Sequence, residues 1–185
     1  MANYHGLWDN GDFDRGRAAL QKANQVAAAN KSTTLRERAY IAALDEIYKH
    51  DGKDNYSHAQ AFEQKMATLQ AAYPDDTEAA IFHALTLAVA APKTDKTFAN
   101  QRKCGEILEP IFQKQPNHPG VAHYMIHCFD NPLLAEKGLV AARAYARIAP
   151  SSSHAQHMPS QRTNSNNPSN RGTGGPVSHF HAPPH

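Results

Sequence analysis

The chain has 185 residues, 41% of them hydrophobic and 19% charged, with a mean hydropathy of -0.64. That is enough apolar content for one domain or one continuous repeat array, and its two cysteines are too few for the disulfide framework of a small secreted scaffold. Lys and Arg number 19 against 17 acids, but Arg162 and Arg171 lie in the last 25 residues, which contain no acid, so the first 160 residues are electrically balanced. A balanced body has no excess cation with which to neutralise phosphates, and nucleic acid is therefore excluded as an expected partner.

In chain order, the sequence predicts helices and no strands, because no alternating run of β-branched residues persists. Asp12–Ala29 is Ala-rich, with Ala18, Leu20, Ala23 and Val26 expected to face inward. Thr34 followed by Glu37 is a capping box that opens a second helix, whose stripe is Tyr40, Ala43, Leu44, Ile47 and Tyr48. After the loop DGKDNYS, Ser57 is expected to cap a third helix with Phe62, Met66, Leu69 and Tyr73 on one face. Asp75 to Glu78 has the form of a second capping box and opens an apolar helix over 77–90. The longest apolar run, 81–91, is interrupted by His83 and Thr86 and is too short to span a bilayer, so no membrane partner is expected. Cys104, Ile107, Leu108, Ile111 and Phe112 line the next helix, which Pro110 is expected to kink or locally unwind. Asn117 or His118 caps a helix over 119–129, with Pro119 at its first position. A last helix, Leu133–Ile148, ends at Pro150, and Leu134, Val140 and Ala144 are expected to show an uncovered apolar face there. Residues 161–185 are rich in Asn, Ser, Gly, Pro and His, a composition expected to stay disordered.

Pro74, Pro116 and Pro150 each end the second helix of a pair, at separations of 42 and 34 residues. The shorter value is the tetratricopeptide period, and the surplus in the longer one fits within the loop APKTDKTF. Shifting PNHPGVAH (116–123) by 34 gives PSSSHAQH (150–157), which aligns Pro116 with Pro150 and His123 with His157.

With these repeats, the chain resembles tetratricopeptide-repeat proteins, and within them a bacterial family of undescribed function. The likeness rests on YHGLW (4–8), RERAYIAAL (36–44), YPDDTEAAIFHAL (73–85), DKTFANQ (95–101), ILEPIFQKQPNHPGVAHYMIHCFD (107–130) and ARIAPSSSHAQHMPS (146–160). The general repeat consensus matches poorly: in the repeat ending at Pro150, Ala122 and Ile126 stand at its aromatic and glycine positions. Members of the family extend further upstream and continue after HMPS with another His and an apolar helix, so the chain is read as part of a longer array. The resemblance implies an all-α, tetratricopeptide-like α-solenoid of antiparallel helix pairs over residues 1–160, and it supplies no chemistry. The compartment is left open: the chain as written has no signal peptide and reads as cytoplasmic, whereas a longer parent would have room for an export signal.

The residues with chemistry are histidines. His123 and His127 stand four apart on one helix, about 40° apart around its axis, and His154 and His157 occupy the equivalent helix of the following repeat. The first helices of successive pairs stack side by side in a solenoid, so His123, Tyr124, His127, His154 and His157 are expected to line one concave groove. Two readings compete. The favoured one is a non-catalytic scaffold that binds a protein or peptide partner, in which case the chain is not an enzyme and needs no cofactor. The alternative is a His-rich metal site, with or without enzymatic activity, in which His123, His127 and His157 hold Zn or another divalent transition metal.

A zincin is argued against because Tyr124 stands where the general-base Glu would follow the first His. Asp130 reads as a capping or loop residue, and the carboxylates Asp75, Asp76 and Glu78 read as helix caps. Cys104 and Cys128 read as buried thiols, Cys128 being a poor nucleophile at a helix C-terminus. His179, His181 and His185 in the tail are adventitious metal binders at most, and GTGG (172–175) follows no strand, so no phosphate loop is present.

Overall fold

A computed structural model of the chain describes residues 13–49 and 54–156. Among these the protein is all-helical: α1 (Phe13–Ala29), α2 (Leu35–Tyr48), α3 (Asn55–Ala72), α4 (Thr77–Val89), α5 (Ala99–Lys114), α6 (Pro119–Cys128) and α7 (Ala135–Ile148), followed by a helical turn over 153–156. Each helix packs against its successor, and α4 additionally meets α6. No helix among the described residues is long and apolar enough to cross a membrane. The segment read as a disordered tail lies outside the described residues, as does His157.

Local chemistry sets the helix starts. Thr34 and Glu37 form the expected capping box: the Glu37 N–H donates to Thr34 Oγ1 at 3.2 Å and the Thr34 N–H donates to Glu37 Oε2 at 2.7 Å. These bonds hold the Glu37 carboxyl below its usual range. The start of α3 differs from expectation. Asp54, not Ser57, is the cap, and the Ser57 N–H donates to Asp54 Oδ1 at 2.7 Å; an earlier carboxylate satisfies the same orphan donor as a charged acceptor. The second predicted capping box is also incomplete. Asp76, one residue after the expected Asp75, caps α4 by accepting from the Ala79 N–H, which leaves Glu78 at the second helical position, out of capping-box register, where it pairs with His118. Asp76 accepts as well from the Tyr40 hydroxyl at 3.0 Å, which ties α2 to the start of α4.

The core runs through α4, α5, α6 and α7, with Ile81, Leu108, Val121, Ile126 and Phe129 almost fully enclosed. Two expected faces are out of phase. On α1, Leu20 and Ala27 are buried while Ala18 and Val26 are exposed, because Gly16 lets the Tyr48 ring sit directly on the helix and fixes its rotation. Phe13 meets the same ring edge-on, at 6.0 Å between centroids. On α2, Leu44 is exposed, and only Ala43 and Ile47 of its stripe are buried. On α7, Ala144 is buried, and the exposed apolar side chains at that end are Leu133 and Val140.

Pro110 leaves α5 continuous from Ala99 to Lys114. Its missing N–H would have met the carbonyl of Glu106, and both residues are exposed, so water can serve that carbonyl. Cys104 and Cys128 were expected as separate buried thiols. They are instead joined as a disulfide between α5 and the end of α6, with their Cα atoms 5.8 Å apart and both side chains fully buried. Nothing in their spacing of 24 signals this, because it is helix packing that brings the two together.

Candidate metal centre

The sequence gives α6 two faces. Val121, Ala122, Met125, Ile126 and Cys128 are buried against the neighbouring helices, which turns His123, Tyr124 and His127 to a half-exposed side. His118 caps the helix by accepting the Val121 N–H on Nδ1 at 3.2 Å. That bond occupies the Nδ1 lone pair, so the proton is on Nε2, which donates to Glu78 Oε1 at 3.1 Å. His118 is thus committed to the helix start and is not available as a ligand in this arrangement.

Three other imidazoles converge. His123 Nε2 lies 3.0 Å from His127 Nε2 and 2.9 Å from His154 Nε2, and one ligand nitrogen from each of the three rings falls within 4.8 Å of the others. His154 comes from the helical turn after α7, so the cluster joins two successive parts of the chain. All three side chains are half-exposed. Tyr145 of α7 holds the cluster from beneath. Its ring stacks on His123 at 4.9 Å and 6° between planes and meets His154 edge-on at 6.4 Å. Tyr124 also contacts His123, with ring centroids 5.6 Å apart. Burial, reinforced by the charge of Glu78, raises the Tyr124 phenol above its ordinary range, so it stays protonated at neutral pH.

The geometry of the three nitrogens has a definite chemical meaning. A neutral imidazole nitrogen carries either one N–H or one lone pair, so His123 Nε2 can make one good hydrogen bond and not two. Two imidazole nitrogens nevertheless sit at hydrogen-bond distance from it. With all three rings protonated on Nδ1, three lone pairs would face one another, a repulsive arrangement that a cation turns into an attractive one. A tetrahedral ion with bonds of about 2.0–2.1 Å to imidazole sets its ligand nitrogens about 3.3 Å apart. The two short separations fall just inside that value, and closing the widest gap moves a ring nitrogen by at most roughly 1.5 Å.

Of the five residues expected in a groove, His123, Tyr124, His127 and His154 stand together. His157, which the repeat register placed opposite His123, lies outside the described residues, and His154 lies beside His123. Tyr145 and Glu78 were not identified from sequence as partners of these rings. Tyr145 is 22 residues from the ring on which it stacks, and only the docking of α7 on α6 brings them into contact.

A separate imidazole is structural. His83 of α4 is buried, with Nε2 3.0 Å from Glu63 Oε1 and Nδ1 against the side-chain amide of Gln70. A carboxylate only accepts, so Nε2 carries the proton and donates, and burial holds the pKa of His83 below its ordinary value despite Glu63. Two surface clefts, one between α1 and α2 and one around Arg36 and Tyr73–Asp76, contain none of the clustered histidines. Comparison with family models, with curated proteins and with solved structures returns no match.

Proposed function

We propose that this chain is a helical-repeat scaffold that carries a divalent transition-metal centre, most simply zinc, with His123, His127 and His154 as ligands. The observation that carries the reading is the convergence of three imidazole nitrogens at 2.9 and 3.0 Å around His123. All-nitrogen ligation suits Zn, Ni or Cu, and it disfavours Mg and Ca, which take oxygen ligands. Two ligands one helical turn apart and a third from the following repeat make the site dependent on the packing of α7 against α6. The tetratricopeptide-like solenoid is part of the same proposal. The 34-residue period, the packing of each helix on its successor and the contact between α4 and α6 support it.

Protein or peptide capture by the half-exposed face of His123, Tyr124, His127 and His154 is the second reading, supported by the flat amphipathic rings collected there. Such capture does not require ring nitrogens to converge, and the convergence therefore favours the metal.

Titration calorimetry of chelator-treated protein with zinc tests the proposal. One ion per chain is expected, with binding lost in His123→Ala, His127→Ala and His154→Ala and kept in His118→Ala. A version lacking residues 161–185 separates the centre from the tail histidines. Equal zinc uptake by the wild type and the three ligand variants would refute the assignment.

A further inference from the structure

The donors in this cluster are three imidazoles, and no aspartate, glutamate or cysteine among the described residues joins the group. A dication held by neutral ligands keeps its full charge, which makes it the dominant local field and a strong attractor of anions. Three-ligand histidine sites of this kind keep a fourth position for water or an exogenous ligand, whereas purely structural zinc sites close all four with protein groups. Glu78, whose charge acts on Tyr124, already accepts a hydrogen bond from His118.

Two phenols border the site, Tyr124 and Tyr145, whose rings both contact the His123 ring. Neither hydroxyl hydrogen-bonds to another described residue. The half-exposure of all three imidazoles leaves the cluster in reach of small solutes.

We propose that the loaded centre keeps one coordination position for a small oxyanion, a hydroxide or a carboxylate, with the Tyr124 and Tyr145 hydroxyls as hydrogen-bond donors to it. This rests on the metal reading above. An ion in that setting lowers the pKa of bound water toward about 7, so the same position would supply hydroxide near neutral pH.

The test uses the full chain loaded with Co(II), whose visible d–d absorption reports coordination number and ligand exchange. The cobalt band should shift in position and intensity as acetate is added, and the shift should saturate. Tyr124→Phe/Tyr145→Phe keeps both rings and should leave cobalt affinity unchanged while weakening acetate binding several-fold. A band that forms but ignores acetate overturns the open position and leaves the metal reading intact. An acetate response seen only in Glu78→Gln or His157→Ala also overturns it, because the position then belongs to the protein. Unchanged acetate affinity in the double Phe variant overturns the role of the phenols. Failure to bind cobalt at all removes both the metal reading and this inference.

Discussion

Gly105→Ala puts the packing of the metal-bearing helix to a direct test. Gly105 lies on the buried face of α5, where an added Cβ would fall 2.6 Å from Phe129 Cζ and closer still to Cε1. Phe129 ends α6 and is only 2% exposed, so its ring has no solvent side toward which to swing. Overpacking of this kind costs about 1–3 kcal/mol. Replacing a mid-helix glycine by alanine returns about 1 kcal/mol of helix propensity. The clash involves the rigid edge of an aromatic ring, so the upper part of the range applies, and the net loss should be about 1–2 kcal/mol. Urea denaturation followed by circular dichroism measures it. Because α6 carries His123 and His127, zinc affinity should fall in the same variant. Adding Phe129→Leu, which removes the ring edge, should recover part of both losses in a double-mutant cycle. A Gly105→Ala protein as stable as the wild type, or more so, would show that α5 and α6 do not approach as described.

Four further outcomes follow from particular contacts. Tyr145→Leu, which removes the ring stacked on His123, should weaken zinc binding roughly tenfold, whereas Tyr145→Phe should bind zinc normally; calorimetry distinguishes them. Reducing the Cys104–Cys128 bond, or replacing both cysteines with Ala, should cost about 3 kcal/mol through loss of a constraint on the unfolded chain, read as a shift in the urea midpoint with and without reductant. The folded pKa of His83 is depressed, so the unfolded chain takes up its proton first: stability is full above the ordinary histidine value of about 6.5 and declines as pH falls through it. Denaturation at pH 7.5 and pH 5 should show this slope, and His83→Gln should reduce it. Thr34→Ala, which removes the cap of α2, should cost about 1 kcal/mol by thermal melting.

The sequence carried the helical class because its signals are local. The Thr34–Glu37 box, Pro119 after a capping residue, and apolar stripes such as Met66 and Leu69 each act within one or two turns of the same helix. What it could not convey is rotation and contact between helices. The inward face of α1 depends on the Tyr48 ring seated on Gly16, which no periodicity in α1 contains. Glu78 has capping-box spacing from Asp75, yet the helix is capped one residue later by Asp76, and Glu78 instead meets a histidine 40 residues away. The histidine cluster was partly legible, since His123 and His127 share a helical face by spacing alone. His154 was expected only as a groove residue, and the close approach of its Nε2 to that of His123 depends on how the turn after Pro150 docks against α6. The disulfide and the Tyr145 stack depend wholly on the docking of α5, α6 and α7.

The packing of each helix on its successor has a kinetic consequence. Most contacts close short stretches of chain, which keeps contact order low and allows folding to spread from any helix pair to its neighbours. Opening should follow the same geometry. Among the described residues, α1 docks chiefly on α2 and contributes only Leu20 and Ala27 as buried apolar side chains, so its amides should exchange with solvent ahead of those of the later helices. Slowest exchange belongs in α4 to α6, where neighbours lie on both sides and the disulfide prevents α5 and α6 from separating. The histidine cluster sits between those regimes, with two rings on a protected helix and the third on a short turn near the end of the described chain. A bound ion would therefore act chiefly as a brake on local opening, slowing exchange in α7 and the turn after it far more than in α5.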